Sequence, residues 1–130
     1  MGLRTADFVL PVPLQPKSRP RFTLKGRAYK DSKYREWTES VRSILGEWWT
    51  LPPLEKGQVV ALHLTFFGPG TSDLDNLAGA VMDAGTGIVW SDDKVTVLQR
   101  IEAQWLKKPM NAQAIYLKVI WNENTVSAAA

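Results

Sequence analysis

Between Gln58 and Ala84 the apolar residues change their spacing, and that change does most to limit what the chain can fold into. From Gln58 to Phe67 they alternate: Val60, Leu62, Leu64 and Phe66 fall on one side, Ala61, His63, Thr65 and Phe67 on the other. This is the pattern of a central strand with one apolar and one mixed face. Gly68-Pro69-Gly70 turns the chain, and from Asp73 onward Leu74, Leu77, Ala78, Val81 and Met82 recur at helical spacing. Strand, turn and helix in direct succession predict a domain with layers of both.

The helix opens on charge. Asp73 has the chemistry of an N-cap, and Asp75 falls in the first turn, away from the apolar stripe, where the helix dipole favours an acid. Capping alone explains such a pair. It does not explain Asp92-Asp93, which follow Ile88-Val89-Trp90 once Gly85-Thr86-Gly87 has ended the helix. Like charge gathered at the ends of apolar elements requires something positive between it. A hard dication such as Mg²⁺ takes oxygen ligands, keeps water, and needs only one or two carboxylates plus a substrate phosphate oxygen. Two such ions would serve an in-line phosphodiester displacement. Because Asp73 and Asp75 begin a helix and Asp93 begins a strand after it, a return turn is expected to bring them to the same end of the sheet.

Elsewhere, Asp7 to Val12 reads as a first strand near a sheet edge, closed by Pro11 and Pro13. Residues 15–30 form a basic arm or hairpin in which Lys17, Arg19, Arg21, Lys25 and Arg27 are interleaved with Phe22 and Tyr29. That mixture of phosphate-contacting cations and stacking rings suits nucleic acid. A helix follows from Asp31 to Trp49, capped by Asp31 or Ser32, with Tyr34, Trp37, Val41, Ile44, Leu45 and Trp48 on one face; its tryptophans read as core. Val95 to Trp105 alternates as a long strand, and Ala114 to Trp121 gives another, the two read as an antiparallel pair across Pro109-Met110-Asn111. His63, in mid-strand, reads as a packed or half-exposed sheet residue and not as a base. Residues 123–130 form a polar, alanine-rich tail expected to fray. The expected fold is a single α+β domain spanning residues 1–130, with a mixed sheet of about four strands and two main helices.

Charge distribution narrows the partners. The formal charge is only +3, yet residues 17–35 hold eight of the sixteen lysines and arginines, with Asp31 as their sole acid. Such segregation suits a polyanion. The absence of cysteine removes thiolate chemistry and disulfides. No segment has the apolar length of a membrane helix, and the expected compartment is the cytoplasm.

The runs Asp73-Leu-Asp-Asn-Leu-Ala-Gly-Ala-Val-Met-Asp83-Ala, Gly87-Ile-Val-Trp-Ser-Asp-Asp93-Lys-Val95, Pro16-Lys-Ser-Arg-Pro-Arg-Phe-Thr23 and Gly26-Arg-Ala-Tyr29 resemble those of the RusA-like Holliday-junction resolvases, small endodeoxyribonucleases of phages and bacteria. The resemblance implies that Asp73, Asp75 and Asp93 form a catalytic, metal-holding triad for Mg²⁺, or Mn²⁺ in its place, with Asp92 a lesser neighbour. It also implies branched DNA as substrate and a two-fold homodimer, with the Trp-rich helix as its expected apolar contact. One position departs. The family has a lysine four residues after its second Asp, where this chain has Gly79; Lys94 or a lysine of the arm is a candidate substitute. A junction-binding protein with weak or lost cleavage is the alternative that Gly79 raises, and a phosphoesterase for small nucleotides is disfavoured because a small substrate would not need so basic an arm.

Overall fold

The computed structural model describes residues 2–17, 21–22, 28–29 and 32–123. In chain order these give β1 (Leu3–Leu10), β2 (Arg21–Phe22), β3 (Ala28–Tyr29), α1 (Ser32–Trp48), β4 (Val59–Gly68), α2 (Leu74–Gly85), β5 (Ile101–Lys107), a 3₁₀ turn (Met110–Ala112) and β6 (Ala114–Asn122). The main sheet has the order β1-β6-β4-β5, with β6 antiparallel to both its neighbours and β4 parallel to β5. This is the expected α+β architecture with a mixed sheet.

The core lies between one sheet face and the helices. β4 supplies Leu62, Leu64 and Phe66, β6 supplies Ile115, Leu117, Val119 and Trp121, α1 supplies Tyr34, Trp37, Val41 and Leu45, and α2 supplies Leu77, Ala78, Ala80, Val81 and Ala84. An aromatic run fastens α1 to the sheet: Phe8 stacks on Trp48 at 5.3 Å, and Trp49 meets Trp121 edge-on at 5.1 Å. Trp37 and Trp49 are buried in the core and Trp48 is half-buried against it, as the core reading of these tryptophans expects. Among the described residues no helix is long and apolar enough to cross a membrane.

Three expectations need correction. Val60 does not share the face of Leu62: a register shift between Val59 and Ala61 leaves it exposed, since an extra residue reverses the alternation beyond it. The strand expected from Val95 begins only at Ile101. Before it the N–H groups of Val97 and Leu98 both donate to the Lys94 carbonyl, and these two consecutive residues are both buried, which a strand with one core face does not allow. Finally, β5 and β6 are not partners. β6 inserts between β1 and β4, and β5 adds to the far side of β4.

β1 is an edge strand, as expected, and His63 is half exposed on β4 with Nε2 3.2 Å from Glu102 on β5. The arm contains a short hairpin in which Arg21 pairs with Tyr29 and Phe22 with Ala28. Arg19, Lys25 and Arg27 of the arm, the Asp31 cap and residues 124–130 of the tail lie outside the described residues.

Candidate active site

The site is built on α2 and on the loop that follows it. At the end of β4, Gly70 lies against the Trp105 ring, where a Cβ would come within 2.7 Å of it; the chain then enters α2 at Asp73. Asp73 has the extended backbone of an N-cap, but its side chain makes no cap hydrogen bond, so its exposed carboxylate is not spent on the helix. Asp75 is also exposed and accepts the Asn76 N–H over 3.0 Å. Leu74, expected in the buried stripe, is 38% exposed; at the first helical position it lies beyond the edge of the sheet packing.

Asp75, Gly79 and Asp83 follow one another at i, i+4 and i+8 along one face of α2, with about 12 Å of helix rise between the first and the last. Asp83 is the point at which four elements meet. Tyr34 of α1 donates its phenol to Asp83 Oδ2 over 2.9 Å. Lys17, at the root of the arm, brings Nζ to 3.3 Å from Oδ2 and 3.4 Å from Oδ1. From the loop after α2, Asp93 lines the same pocket as Asp83, close enough for the Asp83 charge to act on its carboxyl.

Asp93 reaches this position because the C-terminus of α2 is tightly fastened. Gly85 has no Cβ, and the Trp90 ring packs where one would stand; Trp90 Nε1 donates to the Met82 carbonyl over 2.9 Å. Gly87 turns the chain at φ 85°, a conformation that favours glycine. Arg42 donates from one guanidinium nitrogen to the carbonyls of Ala84 at 3.1 Å and Thr86 at 2.6 Å, so charge and hydrogen bonds both cap the helix end. The Leu54 N–H donates to the Val89 carbonyl, and Ser91 N–H donates back to Leu54, which fixes the strand-like segment that delivers Asp92 and Asp93.

The electrostatics follow from this crowding. Burial pushes the Asp93 carboxyl up from its ordinary value, and the Asp83 charge and hydrogen bonds with Asp92 and Asp83 add to the shift. Asp92 accepts the Asp93 N–H over 2.7 Å and stands 3.9 Å from Lys94 Nζ, whose side chain is 75% exposed. A pocket of about 450 Å³ opens beside the Asp83–Asp93 pair, lined also by Tyr34, Arg35, Thr38, Glu39, Arg42 and Thr86.

The sequence expectations meet this geometry unevenly. Asp93 and Asp92 are together, but their close carboxylate partner is Asp83, absent from the expected set. Asp73 and Asp75 stand toward the opposite end of α2. Parallel pairing of β4 with β5 makes α2 carry the chain back along the sheet, so the start of the helix and the loop ahead of β5 are separated along its length. Asp83 had a signal in the sequence, its i+8 relation to Asp75, while Tyr34 carried none that distinguished it from core. Gly79, which stands where the family has a lysine, is covered: a Cβ there would lie 3.2 Å from Lys17 Cδ.

The donors at Asp83, Asp92 and Asp93 are all hard oxygens, and the like charge that burdens Asp93 is of the kind a dication offsets, so they fit Mg²⁺ or Mn²⁺. Among the described residues no three His, Cys, Asp or Glu side chains stand close enough to form a cage by themselves.

Fold and site together define a small α+β domain that presents carboxylates along one helix and in the loop after it, with Lys17 laid against that helix. Residues 11–119 match the family model described as endodeoxyribonuclease RusA, and the chain belongs to that family. Membership carries endodeoxyribonuclease activity on branched DNA. No curated protein matches the chain.

Proposed function

We propose that the protein is a Mg²⁺-dependent, structure-selective endonuclease that resolves four-way junctions by paired symmetric nicks. A two-fold homodimer suits that task, because a four-way junction presents two equivalent strands. The observation that carries the reading is the pocket that Asp83 and Asp93 line together, with Lys17, at the root of the basic arm, 3.3 Å from Asp83. Asp93, with Asp92 beside it and Asp83 across the pocket, would hold an ion at one end of α2, and Asp73 and Asp75, the other acids of the family pattern, would serve a second at the start of the helix; Mn²⁺ would substitute. The bound ion supplies Lewis acidity at the scissile phosphate and offsets charge that develops there.

The remaining work falls to the chain. Asp83, oriented by the Tyr34 phenol, holds Asp93 at the mouth of the pocket. Lys17, Arg19, Arg21, Lys25 and Arg27 hold the phosphate backbone, an interaction that any branched substrate offers regardless of sequence.

The deciding experiment incubates a labelled four-way junction, and a linear duplex of the same sequence, with Mg²⁺ or with EDTA. Symmetric nicks in the junction alone, and only with Mg²⁺, are expected. Tight binding without cutting in Mg²⁺ or Mn²⁺ would replace this reading with the junction-binding module, and equal cutting of linear duplex would remove structure selectivity.

A further inference from the structure

We infer that Lys17 is the catalytic cation of the site, laid across Gly79 so that its ammonium meets the scissile phosphodiester; the inference rests on the nuclease reading above. The Lys17 N–H donates to the Asn76 carbonyl over 2.8 Å, which pins residue 17 to the first turn of α2 whatever its side chain does. From there the stem runs along α2 over the one position of the acidic face that has no side chain. A Cβ at Gly79 would stand 3.2 Å from Lys17 Cδ and 3.7 Å from its Cβ, so the glycine is the floor on which the stem lies. The ammonium ends on Asp83, which lines the same pocket as Asp93.

Other cations near these carboxylates are differently placed: Arg35 lines the pocket from α1 and is not laid along the acidic face of α2. Arg42 is committed to the carbonyls of Ala84 and Thr86, and Lys94 pairs at 3.9 Å with Asp92 from a largely exposed position. The Lys17–Asp83 pair is itself open to solvent, with side-chain exposures of 46% and 31%, so exchanging the carboxylate for a phosphate oxygen costs little. A phosphodiester brought among Asp83, Asp92 and Asp93 meets like charge. The Lys17 ammonium offsets that charge, and offsets it more as negative charge grows on the phosphate oxygens in the transition state.

The test is a rescue. Under single-turnover conditions with saturating protein, K17A is expected to cut a four-way junction ~10²–10³-fold more slowly than wild type. Adding G79K to K17A restores most of that rate, because residue 79 then starts from the place the Lys17 stem has vacated. In EDTA, acylation of Lys17 by an amine-reactive ester, read by mass spectrometry, is suppressed when the junction binds wild-type protein. K17A cutting as fast as wild type overturns the inference, as does a slow K17A that G79K fails to rescue while both variants melt like wild type, since Lys17 would then act on DNA away from Gly79. Undiminished acylation in the complex overturns it too. Wild type inert on the junction in Mg²⁺ and Mn²⁺ sinks the nuclease reading and this inference with it, whereas an active wild type beside an equally active K17A sinks the inference alone.

Discussion

Tyr34 of α1 and Asp83 of α2 are joined by a phenol-to-carboxylate hydrogen bond of 2.9 Å, which ties the packing of the two helices to the acidic site. Tyr34 is 5% exposed, and its phenol is pushed above its ordinary pKa by burial first, then by the bond to Asp83 and the Asp83 charge. The phenol thus remains a donor throughout the working range of pH. Replacing it with Phe leaves Asp83 without that donor and is expected to cost ~1.5–3 kcal/mol, the range for hydrogen bonds to charged groups, read as a lower urea midpoint at unchanged slope.

The same shift gives a pH dependence. An acid whose folded pKa is raised contributes stability that is fully present below its unfolded value, about 10 for Tyr, and is lost as the pH rises toward the folded value. Unfolding free energy should therefore fall above about pH 10, and the Tyr34→Phe variant should lose less over that interval. Parallel pH profiles for the two proteins would show that Tyr34 carries none of this dependence.

Asp73→Asn and Asp93→Asn are each expected to abolish Mg²⁺-dependent nicking while junction binding in EDTA survives or tightens. A carboxamide is a poorer ligand for a hard ion but repels phosphate less. Gel-shift and cleavage assays on the same preparations separate the two effects. Near wild-type cutting by Asp73→Asn alone would assign the chemistry to the Asp83–Asp93 end of α2.

Replacing Arg19, Arg21 and Arg27 together with Ala should weaken junction binding and flatten its dependence on salt. The slope of log affinity against log salt drops by ~0.9 for each phosphate that the arm no longer neutralises. An unchanged slope would mean that these arginines do not touch the backbone.

Gly85→Ala tests how Asp93 is delivered. Alanine normally gains ~0.5–1 kcal/mol over glycine within a helix, but here its methyl would enter the space of the Trp90 ring, which is fully buried. Overpacking of ~1–3 kcal/mol should prevail, lowering the melting temperature and, through displacement of the Trp90–Asp93 segment, the cleavage rate. A variant more stable than wild type would show that Trp90 yields easily.

Periodic burial was the legible part of this fold. Tyr34, Trp37, Val41 and Leu45 of α1 and Leu62, Leu64 and Phe66 of β4 occupy the faces their spacing predicts, because each element buries one side against a single layer. Val60 departs from its expected face because a bulge leaves no mark in a run of apolar residues, and Val95 to Arg100 depart from strand because alternation also occurs in a turn whose Val97 and Leu98 are both buried. Strand order was not legible: that β6 lies between β1 and β4 depends on which edges remain free once α2 has crossed the sheet. Asp73, Asp75, Asp92 and Asp93 stood out because acids end apolar runs there. Asp83 did not, since an acid on the outer side of a helix looks like ordinary surface until Asp93, Tyr34 and Lys17 are brought against it from elsewhere.

The bond from Lys17 N–H to the Asn76 carbonyl is main chain to main chain, so it belongs to no side chain. Mutation can rewrite the cations of the arm while this tether of residue 17 stays where it is. The root of the arm and the turn that carries Asp75 are thereby set by one backbone contact, so the place from which the arm departs and the acidic start of α2 share a single anchor.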